Sequence, residues 1–288
     1  MPAGGRPTVR SRWLGARLRE LRQRLRLDLA DAADAVGCST AKISRIESGQ
    51  STARVGDVRM MLDLYEVRDE AKRKYFERLA RESGKRGWWL DYPIQGNLAD
   101  LVEVESFATF IRTYQTAHVP GLLQTPAYTR ALVEAGPGVL TEDQVETIIK
   151  VRQERRRVIE ETAGAMFAAV IWEPALTTPM RSHETHREQL EHILKVASQR
   201  NTTIQVLPQS EWGAARVSGS FVAFAFSSDE PSVQAVAIDT LTSTLMIEEA
   251  DGLTLYAHAF DALRSAALTP DKTVSFIRDA INNIPKGE

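Results

Sequence analysis

The chain has 288 residues, 43% of them hydrophobic, which is enough for two globular domains with ordinary cores. Its net charge of −2 is unevenly spread: the first 68 residues hold 13 Arg and Lys against 8 Asp and Glu, and the remainder 23 against 30. One cysteine, Cys38, excludes an intramolecular disulfide and a Cys-rich zinc site, and no run reaches the ~18 apolar residues of a membrane span.

A basic front and an acidic remainder suit one domain that meets phosphates and another that does not. Residues 1–11 read as a basic disordered tail, with Arg6, Arg10 and the adjoining Arg12 either trailing along a phosphate backbone or solvated. Leu14, Leu18, Leu21 and Leu25 then share one face of a helix over 12–26. The Arg-rich start therefore leads into a packed domain rather than a transit peptide, and the expected location is the cytoplasm, over the nucleoid.

Asp28 can cap a short helix whose apolar face is Leu29, Ala32, Ala33 and Val36. Gly37 permits the positive φ of a sharp turn, and Ser39 can cap a second helix. In that helix Ile43 and Ile46 point inward, leaving Thr40, Ala41, Lys42, Ser44 and Arg45 on or near the outer face. Two short helices about a glycine turn, the second with small, polar and cationic outer residues, predict a helix-turn-helix whose second helix enters a DNA major groove. Ser39 stands at the start of that helix and is counted with the DNA-facing set.

Arg45 has the two donors that match guanine O6 and N7, and Thr40 and Ala41 suit a thymine methyl group. The competing readings are a solvated charge for Arg45 and simple helix propensity for Ala41. Arg54, in the loop that follows, is a candidate for a minor-groove or phosphate contact. Helices over Val55–Tyr65 and 69–83 complete a five-helix DNA-binding domain over 12–83.

Residues 15–67 resemble the helix-turn-helix domain of XRE-type regulators, through LGARLRELRQ (14–23), the Gly37 turn and ISRIESG (43–49). The resemblance implies that Thr40, Ala41 and Arg45 face base edges, and that Lys42, Ser44 and Ser48 reach phosphates or the periphery. It also implies that Arg22 and Glu47 form a largely buried pair tying helix 1 to the recognition helix. Many relatives carry Gln where this chain has Leu29, so a phosphate there would fall to the helix's free N–H groups.

Residues 84–96 read as a linker, with Trp88 and Trp89 expected to pack against the larger domain that follows over 97–288. That domain begins with a helical connector: a helix to about Thr113, a short helix over Pro126–Ala135, and a long one capped by Thr141. The long helix ends in Arg155, Arg156 and Arg157, read as a solvated end. Strands follow at 167–172, 203–207, 220–226, 234–238 and 243–248. An amphipathic helix over 182–199 makes the first two strands a parallel βαβ pair, and helices over 253–268 and 270–284 close the chain. The expected fold class is α plus α/β: a five-helix bundle, a helical connector and a mixed sheet of about five strands.

Glu173 and Asp239 each follow a predicted strand, where ligands of open α/β sheets gather, and form the candidate ligand or partner site; capping turns is the alternative. His183 and His186, with Glu184, Glu188 and His192, have spacings a metal can use, but exposed polar residues are far commoner. No metal and no cofactor are expected, and Cys38 reads as small apolar filler. No Gly-rich phosphate loop, HExxH or GxSxG motif is present, so enzyme activity is not expected.

IRTYQTAHVPGLLQTPAYTRAL (111–132), IWEPAL (171–176), IQVLP (204–208), GSF (219–221) and AVAIDTLT (235–242) resemble the C-terminal domain of actinobacterial XRE-type regulators of the WhiJ kind. Relatives often have Tyr and Glu where this chain has Ile238 and Asp239. Helix-turn-helix dimers bind inverted half-sites about one turn apart, so the expected function is a homodimeric transcriptional regulator on an inverted-repeat operator in double-stranded DNA. The resemblance adds a role for the C-terminal domain, which would bind an effector or a small acidic protein encoded by the adjacent gene. The alternative it implies is an antitoxin-like protein that mainly sequesters that neighbour and regulates itself through DNA.

Overall fold

Side-chain caps set most of the limits of the first five helices. Thr8 caps α1 (Val9–Arg24), Asp28 caps α2 (Leu29–Val36), Ser39 caps α3 (Thr40–Glu47) and Asp69 caps α5 (Glu70–Ser83). Between them α4 (Val55–Leu64) starts after Arg54 with no side-chain cap. Leu14, Leu18, Ile43, Ile46, Met61, Leu62 and Leu79 are all at most 1% exposed and form the bundle's interior. Each such burial contributes roughly 1.5–3 kcal/mol before entropy is counted. The computed structural model describes residues 8–85, 87–94, 97–136, 138–160, 164–216, 219–226, 232–240 and 243–285. The chain divides into two units, Met1–Val104 and Glu105–Glu288, with the division inside α6 (Asn97–Phe107).

Two expectations for the first unit need correction. Residues 8–11, read as tail, belong to α1 or its cap, and Arg10 is buried. The cause is Glu103 on α6, whose carboxylate accepts from the N–H groups of Val9 (3.0 Å) and Arg10 (3.1 Å) and from Arg10 Nε (3.0 Å). A carboxylate there satisfies donors that a helix start leaves free and complements its dipole. Arg12 pairs with Asp100 at 3.2 Å, one turn earlier on the same helix. Arg6 lies outside the described residues. The stretch read as a linker falls within the first unit and contains a 3-10 turn, Trp88–Asp91, whose Trp89 is buried. The guanidinium of Arg10 lies over the Trp89 ring, 5.5 Å from its centroid.

In the second unit the helix expected up to Thr113 stops at Phe107, and Phe110–Gln115 forms strand β1. Its aromatic and β-branched residues suit a strand, and hydrogen bonding to a strand on each side satisfies its backbone. The other strands are β2 (Met166–Trp172), β3 (Thr202–Leu207), β4 (Phe221–Ala225), β5 (Ala235–Asp239) and β6 (Thr244–Ile247). Among the described residues they form one mixed six-stranded sheet in the order β3-β2-β1-β4-β5-β6. β1 is parallel to β2 and β2 to β3; the remaining pairs are antiparallel.

The helices of this unit are α7 (Pro126–Glu134), α8 (Glu142–Glu160), α9 (Pro174–Thr177), α10 (His183–Ala197), α11 (Trp212–Ala215), α12 (Ala250–Ala266) and α13 (Pro270–Asn283). One sheet face, with Tyr114, Val170, Phe221 and Val236, packs on Leu253, Phe260 and Leu263 of α12. Ile111, Ile171, Ile204 and Phe224 alternate onto the opposite face and are equally buried, so the sheet is covered on both sides. The β3 edge is closed by other means: Val206 N–H donates to Thr273 Oγ1 (3.0 Å), and Leu268 N–H donates to the Val206 carbonyl (2.8 Å). The arginine run on α8 is not uniformly solvated, because Arg155 is paired with Glu105 through two short bonds (2.7 and 2.8 Å).

Candidate nucleic-acid interface

The α2–turn–α3 segment is built by local bonds that its sequence dictates. Asp28 Oδ1 accepts from the N–H groups of Ala30 (2.7 Å) and Asp31 (2.9 Å), while Asp31 Oδ2 accepts from Asp28 N–H (2.7 Å). These bonds hold the Asp28 carboxyl below the usual carboxylate range. Gly37 ends α2 at φ 68°, ψ 44°, the left-handed conformation that glycine adopts without strain. Ser39 Oγ then accepts from Lys42 N–H (3.3 Å) and starts α3.

The rear of α3 is fixed from three directions. Ile43 and Ile46 are buried in the bundle. Gly15 of α1 lets the two backbones meet: a Cβ there would stand 2.3 Å from the Ile46 carbonyl oxygen. Arg22 donates from Nε and Nη2 to the two Glu47 oxygens (2.7 and 2.8 Å) and from Nη1 to the Leu27 carbonyl (2.8 Å). The hydrogen bond to Glu47 raises the Arg22 pKa against the opposing effect of burial. The same pair acts on Tyr65, whose hydroxyl pKa is raised by burial and then by the Glu47 charge.

The front of α3 presents Thr40, Ala41, Ser44 and Arg45, all exposed. Among the described residues no carboxylate pairs with Arg45. Lys42 is held differently from its neighbours, with Nζ 2.6 Å from Asp57 Oδ2 in the first turn of α4. Ser48 is exposed and its hydroxyl donates to the Arg45 carbonyl (3.2 Å). Arg54 is also exposed, at the start of α4. The helix thus combines a rigid apolar back with a polar, cationic front, the arrangement that major-groove reading requires. Asp57 and Glu103 act through partners distant in sequence, and the local signal for the second is Asp100 and Glu103 at i, i+3 on a single helix face.

Glu173 and Asp239 do stand at the carboxyl ends of β2 and β5 but are not brought together. Two strands separate them, which is roughly 14 Å at normal strand spacing. Glu173 Oε2 accepts from Gln209 N–H (2.8 Å), tying the end of β2 to the segment after β3, and Asp239 Oδ1 accepts from the Thr244 hydroxyl (2.7 Å) within the β5–β6 hairpin. His186 is buried with Nε2 2.8 Å from the Leu176 carbonyl, and among the described residues no group of three His, Cys, Asp or Glu could hold a metal ion. No helix among them is long and apolar enough to cross a membrane.

Two family models match the chain. One, a helix-turn-helix domain, covers residues 13–76, and the other, a domain of unknown function (DUF5753), covers residues 98–279. No curated protein and no solved structure matches it.

Proposed function

The chain belongs to the DUF5753 family and carries a helix-turn-helix domain ahead of that region, and from this premise we propose a sequence-specific transcriptional regulator that binds operator DNA as a homodimer. The observation that carries the reading is the two-sided construction of α3, with Ile43, Ile46 and Glu47 buried behind an exposed Thr40, Ala41, Ser44 and Arg45. Arg45 reads a guanine, and Thr40 and Ala41 lie against neighbouring base edges. Ser39, Ser44, Ser48 and Arg54 contact the flanking backbone, joined by Lys42 where its bond to Asp57 allows. Eight residues of α3 span few base pairs, so two copies on half-sites one helical turn apart supply the remaining affinity. The C-terminal domain receives the regulatory signal, from an effector or a small protein partner.

Fluorescence anisotropy with duplexes from the gene's own upstream region tests this reading. Specific binding should weaken steeply as salt rises, because phosphate contacts release counterions. Arg45→Ala should cost about 1–3 kcal/mol at a single base position and relax the preference there. Equal binding to all duplexes, or an unchanged base preference in Arg45→Ala, overturns the reading.

A further inference from the structure

We propose that the second unit holds a small oxyanion, a carboxylate or phosphate group, at Arg152. Arg152 and Arg155 lie three residues apart on α8 and have different partners. Arg155 gives its Nε and Nη2 to both oxygens of Glu105 (2.7 and 2.8 Å). Arg152 donates from Nη1 to Gln124 Oε1, a neutral amide oxygen, and among the described residues no carboxylate forms an ion pair with it.

Gln124 is a fixed mount for this contact. It is 4% exposed, and its Nε2 donates to the Val119 carbonyl (2.7 Å), which leaves Oε1 as the atom that faces Arg152. Holding the guanidinium by one nitrogen keeps the Nε–Nη2 edge available. That edge is the fork that takes two oxygens of one carboxylate or phosphate.

The location fits a ligand. The loop with Gln124 follows β1, and Asp239 ends β5, both at the carboxyl end of the parallel strands, where open α/β sheets bind ligands. Asp239 acts on Arg152 only through longer-range attraction, its own oxygen being engaged by Thr244. His118 is close enough for Arg152 to add to the effect of burial in lowering its pKa. Burial, and then Arg155, bring Arg152 down to about 10. A partly desolvated cation without a counter-ion costs stability, and an anion seated on the fork offsets that cost.

Thermal unfolding of the full chain, with no DNA present, tests the site. Sodium phosphate and sodium acetate are each compared with sodium chloride at matched ionic strength. At least one should raise Tm by about 2 °C or more, and the responding anion identifies the group. Arg152→Met should abolish that shift while raising the Tm of the anion-free protein. Arg152→Lys, which keeps the charge but not the fork, should also abolish it. No shift in the parent protein, or a shift that survives either substitution, overturns the proposal. The inference rests on the signal-receiving role of this domain only for the anion's effect at DNA. Because the titration contains no DNA, failure to bind anion and failure to bind an operator are separate results.

Discussion

Replacing Glu47 by alanine strands a guanidinium that the fold has enclosed. Arg22 and Glu47 side chains are 10% and 4% exposed, and two of the three described side-chain hydrogen bonds of Arg22 end on this carboxylate. Hydrogen bonds to a charged partner contribute about 1.5–3 kcal/mol each, and breaking a buried pair costs about 3–5 kcal/mol. Arg22 keeps a tenth of its side chain in water and its bond to the Leu27 carbonyl, which places the loss at the lower end, about 3 kcal/mol. That is a large part of the 5–15 kcal/mol that typically separates a folded chain from its unfolded state. Removing both charges, in Arg22→Met with Glu47→Leu, should restore stability to within about 1 kcal/mol of the parent, because no uncompensated ion remains. Urea titrations followed by far-UV circular dichroism, compared at equal m, measure all three proteins. A Glu47→Ala loss below about 1 kcal/mol, or a double variant as unstable as the single one, refutes the reasoning.

Gly15→Ala should cost at least about 2 kcal/mol and abolish specific DNA binding, because the new Cβ drives α1 from the Ile46 and Glu47 carbonyls; urea titration and anisotropy measure it. Thr273→Val should cost about 1–3 kcal/mol by leaving the Val206 N–H without its acceptor, again read in urea. Burial, then the charges of Arg156 and Lys195, lower the His192 pKa to about 4, below the ordinary value near 6.5 of an unfolded chain. The unfolded state therefore takes up the proton first, so this stability is present above pH ~6.5 and is lost as pH falls towards ~4. Tm measured across that window should fall less steeply in His192→Gln than in the parent.

Local chemistry made the recognition segment legible. Asp28, Gly37 and Ser39 act within four residues of themselves, so their roles as cap, turn and cap can be read without knowing the fold. The Arg22–Glu47 pair came from resemblance and is present as expected. Strand β1 was not legible, since Phe107, Ala108 and Ile111 continue a helical stripe as readily as they begin a strand. Its partners, Met166 and Ala225 opposite Phe110, are far away in sequence, and pairing with them decides the matter. The clamp on α1 is equally non-local, with Glu103 and Arg10 93 residues apart. Lys42 shows the same limit at shorter range: the resemblance implied a phosphate or peripheral contact for it, and Asp57, fifteen residues on, supplies a carboxylate at 2.6 Å.

The carboxylate of Glu103 also decides where the protein can be cut. A fragment ending at Ser83 contains every helix of the bundle, yet its first helix would begin with two amide protons that have lost their acceptor, and Arg10 would keep only its longer ion pair to Glu82 (3.8 Å). A piece that keeps the start of α1 as it stands therefore extends at least to Glu103, twenty residues past the last helix of the bundle.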